Sequence, residues 1–168
     1  AGSNFKINGA NVGTGTVTGT GTINTVPKFT AAGAIGNSNI TDNGTVITLA
    51  TDASVNGVKI GRGASSVASN TALGASTLQS NTTGSYNVAV GQLALTANAD
   101  GNYNAAVGVS ALNANTSGSS NAAFGANAMM FNTVGGNNTG IGSNALRANI
   151  SGNDNMAVGG TALYGNTT

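Results

Sequence analysis

The side chains able to do acid–base or nucleophilic work in this 168-residue chain are few and scattered. Its acids are Asp42, Asp52, Asp100 and Asp154, its cations Lys6, Lys28, Lys59, Arg62 and Arg147, and it has no histidine, cysteine, tryptophan or glutamate. Metal sites draw on imidazole, thiolate or grouped carboxylates, and the four aspartates share no short spacing of the kind a calcium loop needs. The acidic, Gly-rich nonapeptide of calcium-binding β-helices is absent as well. A serine or threonine nucleophile would have no histidine as its base, which leaves only an unsupported Ser–Lys pairing. Hydrolysis of a glycoside by two carboxylates would have to recruit from the same four aspartates. The chain is therefore expected to carry no catalytic residue, no metal and no cofactor, and not to be an enzyme.

The charge pattern narrows the partners. Charged residues make up 5% of the chain and the formal net charge is +1, with the cations far apart. A nucleic-acid surface needs a basic stripe with aromatic platforms, so none is expected. No apolar run approaches the roughly 18 residues of a bilayer span, and no membrane insertion is expected. Ala1-Gly2-Ser3-Asn4 shows no signal-peptide pattern. The lack of cysteine leaves the redox compartment unreadable.

Three motifs invite a chemical reading and each has a plainer one. Gly140-Ile141-Gly142-Ser143-Asn144-Ala145 fits the G-x-G-x-x-A dinucleotide pattern, but no acidic residue follows at the distance a ribose contact needs. Asn81-Thr82-Thr83 and Asn115-Thr116-Ser117 are glycosylation triplets, expected by chance where Asn, Thr and Ser abound. Tyr86 and Tyr103 are candidate surface contacts, since exposed aromatics stack on sugars; packing within a turn is the plainer reading.

All of these motifs lie inside a repeat. From Gly84 a 17-residue unit recurs: Gly84, Gly101, Gly118, Gly135 and Gly152, with Asn87, Asn104, Asn121, Asn138 and Asn155 three residues on. Ala89 and Ala106 follow, then Gly91, Gly108, Gly125, Gly142 and Gly159. Next come Ala94 and Ala111 with Leu95, Leu112, Met129, Leu146 and Leu163, and the unit closes on Asn98, Asn115, Asn132, Asn149 and Asn166. A worn unit precedes these, with Val67 for the first glycine and Thr77 for the alanine, so residues 67–168 make six units. A disordered polar linker has no reason to hold apolar residues in phase, and helical-pair repeats need about 33 residues. Seventeen suits one coil of a parallel β-solenoid or β-roll, adding about 4.8 Å along its axis, and Gly, Asn, Ser and Thr are poor helix formers. The fold class is all-β, with the Asn87 and Asn98 series stacking as ladders.

Within Asn87-Val88-Ala89-Val90-Gly91 alternate side chains point to opposite faces. The row of Val88 and Val90 is expected to fill the core. The small row of Asn87, Ala89 and Gly91 is expected to form a second packing surface against other chains. The Ala94-Leu95 pair fits either a second strand or a helical turn.

Residues 1–66 do not follow the period and read as a β-rich connector or shaft. They hold Asn8-Gly9, Asn43-Gly44 and Asn56-Gly57, each flanked by strand-like residues; Asn-Gly is the strongest short hairpin signal because both residues accept positive φ. Gly13 to Thr22 reads as a thin extended run, ended at Pro27, the single proline.

The N-x-A-Φ-G-x-x-A core, where Φ is Val90, Val107, Phe124, Ile141 or Val158, resembles the head repeats of trimeric autotransporter adhesins. The full unit Gly101-Asn102-Tyr103-Asn104-Ala105-Ala106-Val107-Gly108, continuing to Ser117, is more similar to arrays in bacteriophage tail fibres. The lead-in Thr25-Val26-Pro27-Lys28-Phe29-Thr30, with Ile35-Gly36-Asn37-Ser38 and Thr41-Asp42-Asn43-Gly44-Thr45, also resembles segments that precede such arrays, so the likeness covers roughly residues 20–168. The autotransporter unit is usually shorter, and neither that family's membrane anchor nor the phage fibres' C-terminal maturation domain occurs within these residues. The resemblance implies a homotrimeric, intertwined or side-by-side rod: a shaft in the virion that presents a host-binding tip, with receptor or glycan contact made by other regions. The alternatives are the head of a bacterial surface adhesin and, more distantly, an ice-binding solenoid built on the column Thr82, Thr116, Thr133 and Thr167, which Ala99 and Ile150 interrupt. The array is expected to continue past residue 168.

Overall fold

The computed structural model describes residues 52–168 apart from Gly57, and upstream of these only the strands. The strands are β1 (Lys6–Ile7), β2 (Ala10–Asn11), β3 (Thr25–Ala31), β4 (Ala34–Asp42), β5 (Ile47–Leu49), β6 (Ala53–Val55), β7 (Val58–Gly61), β8 (Thr71–Leu73), β9 (Val88–Val90), β10 (Ala105–Val107), β11 (Ala122–Phe124), β12 (Thr139–Ile141) and β13 (Met156–Val158). One 3₁₀ turn, Ala64–Ser66, is the only helical element among the described residues. The chain divides into two compact units, Ala1–Ala50 and Thr51–Thr168.

In the first unit β1 pairs antiparallel with β2, and β3, β4 and β5 form an antiparallel sheet in that order. Pro27 lies inside β3, opposite Asn37 and next to a register shift, on an edge strand of its sheet, one of the places where sheets accept proline. The turns at Asn8-Gly9 and Asn43-Gly44 and the run Gly13 to Thr22 lie outside the described residues. The third Asn-Gly pair joins β6 to β7, which are antiparallel, and Asn56 takes φ 50°.

The second unit is an all-β parallel solenoid. Strands β8 to β13 stack in sequence order, each pairing parallel with the next in strict phase: Ala72, Ala89, Ala106, Ala123, Gly140 and Ala157 are successive partners. Six of the sheet's eight strands are parallel, over about five turns, roughly 24 Å at the usual strand spacing. At its start β7 pairs antiparallel with β8, Ile60 opposite Leu73. Asp52 secures this entry, its two carboxylate oxygens accepting the N–H groups of Arg62 at 2.8 Å and Gly63 at 2.9 Å. The parallel sheet therefore begins beside an antiparallel hairpin, and the compact unit starts upstream of the first 17-residue repeat.

Outside the strands each coil still bonds to its neighbours. Leu93 N–H donates back to the Ala75 carbonyl, whereas Leu95 N–H donates forward to that of Ala111. Both residues are left-handed, at φ 62° and 49°. The Ala-Leu segment is thus neither a strand nor a helix. It is a turn in which left-handed Leu93 and Leu95 flank Ala94 and aim their amides at opposite coils, while the Ala94 N–H donates to Gly91 O within its own coil.

The core lies inside the coil and is thin. Leu78, Leu95, Leu112, Met129 and Leu146 stack fully buried, with Ala94, Ala111, Ala128 and Ala145 beside them and Ala72, Ala89, Ala106 and Ala123 facing from the strands. This reverses the expected faces. The small strand row points into the coil, Ala106 at 0% exposure, while the bulky row points out, Phe124 at 42% and Ile141 at 43%. The reason is width: one leucine per coil already reaches across to the strand, leaving space there for no more than a methyl group.

Candidate interaction surface

Two asparagine ladders fix the coil interior, and they work differently. In the first, Asn98, Asn115, Asn132 and Asn149 are fully buried. Each donates its Nδ2 to the Oδ1 of the preceding member, as from Asn98 to Asn81 at 2.9 Å and from Asn115 to Asn98 at 2.9 Å. In the second, a side-chain oxygen takes a backbone amide: Asn104 N–H donates to Asn87 Oδ1 at 2.9 Å and Asn121 N–H to Asn104 Oδ1 at 3.0 Å. The ladders meet on glycine carbonyls. Gly101 O accepts Asn87 Nδ2 at 2.8 Å and Asn98 Nδ2 at 3.1 Å, and Gly118 O accepts Asn104 and Asn115 in the same way. Each buried carbonyl thus receives two donors, which removes the cost of burying it. Asn155 Nδ2 is the one buried side-chain polar atom without a partner among the described residues.

The glycines are small for two reasons. A Cβ on Gly84 would lie 2.5 Å from Gly101 O and from the amide atoms of Asn81 and Asn98. Gly91 has φ +123°, and a Cβ there would lie 2.6 Å from Gly108 O. Gly101 and Gly108 repeat the two situations one coil on. Where the pattern lapses, the bond survives: Thr77, in the Ala94 column, is buried with its hydroxyl donating to Gly74 O at 3.0 Å.

Three sequence motifs take structural places in the stack. Asn81 and Asn115 of the glycosylation triplets are buried, with their amides bonded inside the coil. The hydroxyls of Thr82, Thr116 and Thr133 donate to carbonyls of the following coil at 2.8 to 3.0 Å, so this column's donors are engaged in the stack. Gly140 of the dinucleotide-like motif lies in β12, pairing with Ala123 and Ala157, without a helix after it.

The accessible surface includes apolar and aromatic side chains in ordered rows. On the outer sheet face Ile60, Leu73, Val90, Val107, Phe124, Ile141 and Val158 are successive strand partners. They form one continuous row without a charge. Tyr86 and Tyr103 are well exposed and stack on each other, ring centroids 5.0 Å apart and 3° from parallel; both sit in the left-handed region. Among the described residues no three His, Cys, Asp or Glu side chains come together. No family model, curated protein or solved structure matches the chain.

Proposed function

We propose that the array is a non-catalytic, load-bearing shaft segment of a bacteriophage tail fibre or related injection device, assembled as a homotrimer and placed in the virion. One observation supports this best: an uninterrupted apolar row on the solvent side of a stack whose interior is already satisfied. A single chain leaves Phe124 and Ile141 near 40% exposed, and contiguous apolar patches of this sort mark contact surfaces. The row is in phase from strand to strand, so the surface that matches its spacing over its whole length is the same row on another copy. Three copies around a common axis would enclose the three rows, with no membrane or nucleic acid involved. Stacked coils held by ladders at every level suit a role that transmits force and sets distance.

The test is the mass of the native protein by light scattering, together with Val90→Lys/Val107→Lys. The wild type is expected at three chains and the variant at one, with the β-sheet circular dichroism retained. A folded wild-type monomer at micromolar concentration, or a variant that stays trimeric, contradicts the reading.

A further inference from the structure

The turn face of the coils changes character along the array. In the early coils its solvent side carries Thr96 and Ala97, then Asn113 and Ala114. In the later coils the same places hold Met130 and Phe131, then Arg147, then Tyr164. Phe131, Val134, Ile150 and Tyr164 are all exposed. Between the rings lies a cation: Arg147 Cζ is 4.7 Å from the Phe131 ring centroid and 5.6 Å from that of Tyr164, and its Nη1 donates to the Tyr164 hydroxyl at 2.9 Å.

Coil stacking does not require this arrangement, since the earlier coils stack by the same backbone ladder with small residues there. Arg147 is also the sole cation of residues 67–168, in a sequence that otherwise avoids charge. Among the described residues no carboxylate pairs with it, and the Tyr164 hydroxyl is the one hydrogen-bond acceptor its guanidinium meets. A guanidinium held between aromatic rings is oriented at little entropic cost, and its planar fork matches a carboxylate in bidentate fashion. Exposed rings and aliphatic side chains beside it offer apolar contact to the C–H face of a pyranose.

We infer that the Phe131–Arg147–Tyr164 stack is a binding site for an acidic sugar, the guanidinium taking the carboxylate and the flanking rings the sugar ring. The inference concerns the later coils alone and does not depend on how many chains form the rod. Saturation-transfer NMR and calorimetric titration on the whole protein, with sialyllactose and tri-galacturonate as acidic probes and lactose as the neutral one, test it. At least one acidic probe is expected to bind while lactose does not. Arg147→Gln should weaken that binding about tenfold or more, the loss of a charge-assisted pair. Arg147→Lys, which keeps the charge but not the fork, should fall between, and Thr83→Ala, at an exposed position in an early coil, should bind as the wild type does. Melting curves on each variant separate loss of fold from loss of site. Equal binding of acidic and neutral sugars, binding of neither acidic probe, or full binding by a folded Arg147→Gln overturns the assignment.

Discussion

Met129 occupies the space that a side chain on residue 140 would need: a Cβ on Gly140 would lie 2.9 Å from Met129 Cγ and 3.2 Å from its Sδ. Met129 is the departure in the leucine column and Gly140 the departure in the strand's alanine column. The longer thioether reaches across the coil, and the missing methyl on the facing strand admits it. The two departures are complementary in shape: methionine is about as large as leucine but longer, and its tip fills the place of the methyl missing from residue 140.

A double-mutant cycle measures this coupling. Gly140→Ala in the native background should cost about 1–2 kcal/mol as overpacking. Met129→Leu alone should leave a small cavity and cost about 1 kcal/mol. The double variant rebuilds the Leu–Ala pair of the neighbouring coils and should melt close to the wild type. Additive losses in the melting free energies would show that the two sites are independent.

The asparagine ladder gives a second expectation. Asn115→Ala removes the donor to Asn98 Oδ1 and the acceptor of Asn132 Nδ2, leaving both polar atoms buried. With Asn98 Oδ1 left without a donor and Asn132 Nδ2 reduced to its bond with Gly135 O at 2.9 Å, a loss of about 2–4 kcal/mol is expected. Thr83→Ala, at an exposed position, should change stability by less than about 0.5 kcal/mol. Denaturant melts of the two variants compare them directly.

The sequence shows the period, the strand in each unit and both ladders because each depends on residue identity recurring every 17 positions. It does not show which strand face is the inner one. Alternation in Asn87 to Gly91 separates two faces but cannot rank them, and the usual rule that bulky side chains go inside fails in a coil only one leucine wide. Nor does it show the backbone of Leu95 or Leu112, since leucine carries no signal for positive φ. The Phe131–Arg147–Tyr164 stack was equally hidden: Phe131 stands one place later in its unit than Arg147 and Tyr164 do in theirs, and the contact emerges only when coils overlie one another.

Left-handed residues make a third prediction. Thr161 sits at φ 58° and is exposed, in the column where Asn127 and Asn144 take φ 57° and 58°. Left-handed backbone is strained for a β-branched residue and tolerated by asparagine. Thr161→Asn should therefore stabilise the array by about 1 kcal/mol, read as a rise in melting temperature. An unchanged or lowered value would show that the turn does not carry that strain.

Register should matter more than length. Removing residues 118–134 joins Ser117 to Gly135 and keeps every glycine, asparagine and leucine in phase. Asn138 would then donate its N–H to Asn104 as Asn121 does now, and Asn132's place in the other ladder would pass to Asn149. Stability in such arrays is close to a sum of unit and neighbour terms, so this variant should lose one coil's share and shorten by about 4.8 Å. Removing only residues 118–125 deletes less but shifts every later residue by eight places. Ala128 and Met129 would then fall beside Tyr103 and Asn104, ahead of the strand of the preceding coil, and Asn132 would fall beside Val107. Melting and electron microscopy of the two variants decide the matter: the longer deletion should fold as a shorter rod, and the shorter one should leave the downstream coils unstacked. If both fold equally well, phase is not what holds the coils together.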